Sequence, residues 1–202
     1  MRRSLLVLAA ALVTGVGPTL AQAVAKDDER GAQMFWRWLR DHRSEVTEYE
    51  NFLARHKVND VAPTYQLLRT ASMWRECKAE PFQVPPAEYW PQSVEVLRLL
   101  QELRRVGALG SFAVVSAYRD PKLNRCAGGS GGSSHMRFAV DILPLTPGSD
   151  EKLCAFWRES GKAWDMGLSR YPTGRIHVDR TGWRSWGVDY SRGSSFCSLP
   201  AQ

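Results

Sequence analysis

The sequence predicts an α+β domain in which helices pack on a small, mostly antiparallel sheet. Three observations carry this expectation. Amphipathic helical periodicity dominates the first half, strand-like runs of uneven spacing follow in the second, and no βαβ alternation joins them.

Over residues 31–57, Phe35, Leu39, Val46, Tyr49 and Phe52 recur at mainly helical intervals among many charges, giving one long or two shorter amphipathic helices. Residues 64–74 form a second helical segment, ending near Arg75, Glu76 and Cys77. The proline-rich PFQVPP, residues 81–86, cannot be regular structure and reads as an extended connector. Ser93 then serves as an N-cap for a helix through Val96, Leu97, Leu99, Leu100 and Leu103, which Gly107 and Gly110 end. Residues 112–118 are a β-rich run closed by a turn at Arg119 to Pro121, and residues 138–143 are a second strand stopped by Pro144. A further helix over residues 149–164 carries Leu153, Phe156 and Trp157 as its apolar stripe, and residues 175–179 are a last short strand.

The first 23 residues hold Arg2, Arg3, an apolar run and the small residues Ala21 and Ala23, a pattern expected of a cleaved secretory signal. Gly15, Gly17 and Pro18 interrupt the run before bilayer-spanning length, so no stable membrane anchor is expected after cleavage; an uncleaved N-terminal helix is the competing reading. Residues 24–202, 179 of them (202 − 23), suit a single domain with a helical N-terminal part. Losing two arginines lowers the net charge from +6 to +4. That balance suits work near anionic wall polymers but is also common in proteins with no polyanionic partner, and the absence of basic runs with interleaved aromatics argues against a nucleic-acid partner. Four cysteines, Cys77, Cys126, Cys154 and Cys197, behind such a signal point to two disulfides in one of three connectivities, with buried free thiols as the alternative.

The chemistry concentrates in SAYRDPKLNRCAGGSGGSSHMRFAVD, residues 116–141. His135 precedes Asp141 by six residues (141 − 135), separated by an apolar strand-like stretch. In RIHVD, alternation with Ile176 and Val178 places His177 and Asp179 on one strand face. Two histidines and one carboxylate, His135, Asp141 and His177, would leave zinc a fourth position for water, the arrangement of a hydrolytic rather than a structural site. Hydrogen-bonded core histidines are the plainer reading. Gly128, Gly129, Gly131 and Gly132 permit positive φ, which would let the loop fold back so that Ser133, Ser134 and His135 share a cleft with Arg119; a plain flexible loop is the alternative.

SAYRDPKLN, GGSGGSSH, AVDI and RIHVD resemble, in that order, the successive signatures of the zinc D-Ala-D-Ala carboxypeptidases and endopeptidases, the peptidase M15 group, whose fold is shared with the hedgehog signalling domain. The segments PTYQLLRTASMWREC, PFQVPP and LNRCAGG extend the likeness over most of residues 45–190. The resemblance implies that fold, a Zn2+ ion on His135, Asp141 and His177, and peptidoglycan peptides as substrate in the periplasm or outside the cell. It also implies the pairings Cys77 with Cys126 and Cys154 with Cys197. Arg119, the arginine of the S-x-Y-R signature, is associated in the family with the substrate's terminal carboxylate, although an ion pair with Asp120 or another acid is the alternative.

Two positions depart from the pattern. The interval from His135 to Asp141 is one residue shorter, and Gly174 stands where many members carry an acid three residues before the distal histidine. Asp179 is then the candidate general base, or else a partner that orients an imidazole, with Glu76 next in line. Ser116, Tyr118 and Ser133 are candidate substrate-binding groups or props for the loop. Trp74, Trp90, Trp183 and Trp186 either border the groove or pack in the core. The favoured function is a zinc peptidase cutting D-amino-acid-containing bonds of stem peptides; the alternative is a non-catalytic relative that binds wall peptide or a protein partner.

Overall fold

The structure, a computed structural model, describes residues 29–146 and 150–198; the expected signal sequence and Ser149 lie outside them. The first periodic segment is one helix, α1 (Ala32–Arg55), which buries Phe35, Leu39, Val46, Tyr49 and Leu53 along a single stripe. The second is much shorter than its pattern suggests, because α2 (Thr64–Leu67) stops before Arg69. There the backbone turns away to pair with Phe82 in an isolated antiparallel bridge, with Thr70 N donating to Pro81 O and Gln83 N to Leu68 O. The buried Arg69 guanidinium donates to the carbonyls of Arg30 and Val114, and Arg30 donates to those of Thr70 and Val115. Tertiary hydrogen bonding thus overrides local propensity in residues 68–74.

α3 (Trp90–Arg105) begins at the proline signal rather than at Ser93. Pro91 occupies the first turn, where its missing N–H costs nothing, while Ser93 lies inside the helix and donates its hydroxyl to Tyr89 O. Val96, Leu97, Leu99, Leu100 and Leu103 are buried, as their spacing requires. Next come β1 (Phe112–Ser116) and α4 (Pro121–Cys126), the latter capped by Asp120, whose carboxylate accepts from Lys122 N and Leu123 N. That Asp-Pro start is a legible helix signal in hindsight. β2 (Val140–Pro144), α5 (Asp150–Glu159), β3 (Gly167–Arg170), β4 (Ile176–Asp179) and β5 (Arg184–Trp186) complete the chain.

The five strands form one sheet in the order β1-β2-β4-β3-β5, antiparallel throughout except for the parallel β3–β5 edge. The expected α+β architecture is therefore present, but β3, α4 and β5 are additions to the sequence reading. Register is what positions the site. Asp141 stands opposite His177, Ser116 is its partner on β1, and Ser169 is opposite His177 on β3, so one row of polar side chains crosses four strands of the sheet.

The chain between His135 and Asp141 turns sharply. Ser134–Met136 form a single 3-10 turn, and Phe138 then takes φ of 100° before β2 begins. A buried, bulky residue in that region is strained, and its fully enclosed ring is what holds it there. Two disulfides brace the region around this turn. Cys77–Cys126 ties the segment after α2 to the end of α4, where the glycine-rich loop departs, and Cys154–Cys197 ties the C-terminal segment to α5.

Two predictions follow from this packing. Reducing either bridge, or replacing its cysteines with serine, should lower unfolding stability by about 2–5 kcal/mol in denaturant titrations, with Cys77–Cys126 detected by non-reducing peptide mapping. At Phe138, both small substitutions should destabilise by about 3–5 kcal/mol through the lost ring. Phe138→Gly should nevertheless unfold at higher denaturant than Phe138→Ala, reversing the usual order, because glycine relieves the positive φ; equal midpoints or the usual order would show that no strain is held there.

Candidate metal centre

The polar row opens onto the floor of a cavity of about 780 Å³. His135 is carried by the 3-10 turn and tied twice to the chain leaving β1: Arg119 N donates to His135 O, and the His135 ring lies 2.6 Å through Nδ1 from Ala117 O. A carbonyl can only accept, so Nδ1 carries the proton and Nε2 faces Asp141 Oδ1 at 3.1 Å with its lone pair available. His177 on β4 approaches the same Oδ1 through Nδ1 at 3.0 Å. One nitrogen from each ring and one Asp141 oxygen lie within 4.8 Å of one another, and all three residues are buried. This donor set, two imidazoles and a carboxylate at one concave point, fits zinc and matches the three residues expected from the sequence to meet.

Asp179 is not at the cavity wall. It is completely buried behind His177, where Oδ2 accepts from Ser134 Oγ (2.9 Å) and Arg184 Nη2 (2.6 Å) and lies 2.8 Å from His177 Nε2. Its Oδ1 accepts from Thr181 N, Thr181 Oγ1 and Arg184 Nη1. This saturated carboxylate fixes the far nitrogen of His177 and so presents Nδ1 to the floor. Gly167 makes room for it: a Cβ there would sit 2.5 Å from Asp179 Oδ1 and 2.7 Å from Arg184 Nη1.

Electrostatics follow from burial and pairing. Burial, reinforced by the charge of Arg119, pushes His135 down to about 4, so its ring is neutral. Burial alone would raise the Asp141 carboxyl, but the adjoining His135 imidazole, the charge of Arg119 and the hydrogen bonds with both imidazoles hold it well below the usual range. Burial likewise opposes a charged His177, yet hydrogen bonds to Asp141 and Asp179 raise it above its ordinary value. Asp179 stays ionised against burial through His177 and Arg184.

Arg119 stands beside the floor, donating through Nη2 to Asp141 Oδ2 at 2.5 Å and through Nε to Ser116 Oγ at 2.9 Å. Its acid partner is thus Asp141 rather than Asp120, which caps α4. Of the expected substrate-binding residues, Arg119 and Ser133 line the cavity, whereas Ser116 and Tyr118 do not. Ser116 lies beneath Arg119 and props its guanidinium, and Tyr118 is buried with its ring toward Tyr89. Glu76 is exposed and away from the cavity. Trp183 and Trp186 border the cavity; Trp90 packs on Tyr49 and Phe52, and Trp74 lies under Arg75.

The glycine-rich loop expected to fold back onto the cleft, and the Tyr171 turn that sequence reasoning missed, complete the walls. Ala127 to Ser134 supply one side; the loop is not loose, because the buried Asn124 donates to Ser130 O and receives Gly129 closely enough to exclude any Cβ. Gly128 alone in this loop has positive φ, so Gly131 and Gly132 do not use the freedom expected of them. The turn from Tyr171 to Arg175 forms another wall, closed by Tyr171 N to Arg175 O with Gly174 at φ of 81°. That left-handed position is a physical reason for glycine where relatives carry an acid. Tyr171 stays a phenol, its hydroxyl raised first by burial and then by Asp141.

An α+β sheet with a buried His-Asp-His cluster at the base of an open cavity defines a metallopeptidase-type domain. A family model described as Peptidase M15 matches residues 66–179, from α2 to the last residue of β4. The chain belongs to the peptidase M15 family, whose members are zinc-dependent. No curated protein and no solved structure gives a significant match.

If the three residues bind zinc, adding the ion to chelator-treated protein at a hundred times its dissociation constant should stabilise the fold by about 2.7 kcal/mol. The rise in Tm should vanish in His135→Ala and in His177→Ala, as read by calorimetry.

Proposed function

We propose that the chain is a zinc peptidase that hydrolyses D-amino-acid-containing bonds of peptidoglycan stem peptides, as a D-Ala-D-Ala carboxypeptidase or a cross-link endopeptidase, in the periplasm or outside the cell. The observation that carries this reading is the convergence of His135, Asp141 and His177 beside Arg119 on one cavity floor. The signal-like N-terminus and the two disulfides support the compartment.

Zinc held by two imidazoles and a carboxylate would supply Lewis acidity toward a peptide carbonyl and toward water. The chain's own groups do the positioning. Arg119 keeps its place through Ser116 and Asp141 and offers its remaining N–H groups to a substrate carboxylate or to the oxygen that gains charge during hydrolysis. Tyr171, protonated at working pH, is a second donor lining the cavity. Asp179 keeps His177 oriented, one of the two roles open from the sequence; its hydrogen bonds to His177, Thr181 and Arg184, and its place behind His177 away from the cavity lining, support this reading.

A second reading, a non-catalytic relative that binds wall peptide, is favoured by one observation. Among the described residues, Asp141 is the sole carboxylate lining the cavity, so no separate acidic base stands there. Purified cross-linked muropeptides, followed by chromatography with and without chelator, separate the two readings. The peptidase reading expects chelator-sensitive release of D-alanine or of uncross-linked products, lost in His135→Ala. Binding without turnover would instead establish the second. Asp179→Asn should weaken zinc about 10- to 100-fold and recover much activity when zinc is raised; a full zinc complement with activity still reduced a hundredfold would return Asp179 to the role of base.

A further inference from the structure

The cavity carries far more positive charge than a metal site requires. Arg119, Arg175, Arg184 and Arg192 line it, against Asp141 as the one carboxylate among the described lining residues. Two of these guanidinium groups are already matched, Arg119 by Asp141 and Arg184 by the buried Asp179. Arg175 and Arg192 have no acidic partner within salt-bridge distance among the described residues; Arg175 reaches only Ser72 Oγ, at 3.5 Å. Two cations without acidic partners lining one concavity make its potential positive, an arrangement that favours an anionic occupant.

Their placement says where that charge would lie. Arg175 sits two residues before His177 and immediately before β4, so it lies upstream of His177 along the strand, at the wall formed by the Tyr171 turn. Arg192 comes from the C-terminal segment, together with Trp183, which is 39 % exposed, and Tyr190, which is 74 % exposed. Trp183 stacks on Trp157 with ring centroids 5.1 Å apart, and a further cavity of about 560 Å³ shares Trp157, Trp183, Ser185 and Arg192 with the first. The two cavities therefore adjoin at Trp183 and Arg192. Trp183 and Arg192 both lie after residue 179, the last residue of the family match.

We infer that Arg175 and Arg192 are specificity-determining residues that select an extended peptide bearing carboxylates remote from the scissile bond, in addition to any carboxylate held by Arg119. This rests on the peptidase reading for the role of the floor, but not for the binding preference itself. An acidic peptide laid along the groove would place one carboxylate at each wall, each able to accept a charge-assisted hydrogen bond from a guanidinium.

The test is direct binding by calorimetry, at low and at physiological salt, of the full chain loaded with zinc. The probes are one synthetic peptide with two free side-chain carboxylates and the same peptide with both amidated, each with D-residues at the bond under test and N-methylated there to block cleavage. The free-acid peptide should bind at least about tenfold more tightly, a difference that shrinks with salt. Arg175→Ala and Arg192→Ala should each lose about tenfold for the free-acid peptide and leave the amidated one unchanged, with Arg→Lys at either position recovering part of the loss. Equal binding of the two peptides by the parent protein, or equal losses for both in the variants, would overturn the inference. Cleavable versions of the same pair keep the two readings apart. Turnover without carboxylate preference sinks this inference alone, whereas carboxylate-selective binding without turnover sinks the peptidase reading alone.

Discussion

A carboxylate buried in the middle of a sheet must have its charge answered where it stands, and the rest of this site depends on how Asp141 is answered. Its two oxygens meet both imidazoles and the Arg119 guanidinium, each contributed by a different part of the chain: the turn before β2, strand β4 and the turn after β1. Removing one partner of such a buried group typically costs several kcal/mol, because the remaining charge stays out of water. The same contacts gather two imidazole nitrogens and one oxygen at a point. Charge compensation and the assembly of a metal-type donor set are therefore one constraint.

Around that constraint the structure is built in nested supports. Asp179, Ser134, Thr181 and Arg184 fix the outer nitrogen of His177, while Ala117 O fixes that of His135. Close packing of Gly167 against Asp179 explains why β3 begins with a residue that has no side chain. Farther out, Cys77–Cys126 and the buried Asn124 restrain the glycine-rich loop that supplies one cavity wall. Each layer acts through the one inside it, so residues that never touch the cavity shape its floor.

The walls follow a different logic from the floor. The floor lies inside the segment shared with the peptidase M15 family, and its parts are matched and nearly neutralised. The walls carry two unmatched arginines and exposed aromatic rings, some of them after the shared segment ends. A matched floor suits a reaction common to relatives; an unmatched, exposed rim suits discrimination among substrates, where water can be exchanged for ligand at little cost to stability.

What the sequence by itself determined is what depends on local order. The α1 stripe, the apolar ladder of α3, the alternation that puts His177 and Asp179 on one face, and the class of site implied by two histidines and an aspartate are all set by spacing along the chain. Where spacing and tertiary contact disagreed, contact won in residues 68–74, which gave up a helical pattern as Arg69 paired with Phe82; α3 likewise starts before Ser93, with Tyr89 in the cap position and Pro91 in the first turn. Only the folded chain decided that Asp179 faces inward, that Ser116 and Tyr118 lie away from the cavity, and that Tyr171, Arg175 and Arg192 line it. Those outcomes rest on register and on long-range hydrogen bonds between segments far apart in sequence. Strand alternation says that two side chains share a face; it does not say which of them a partner such as Arg184 will claim.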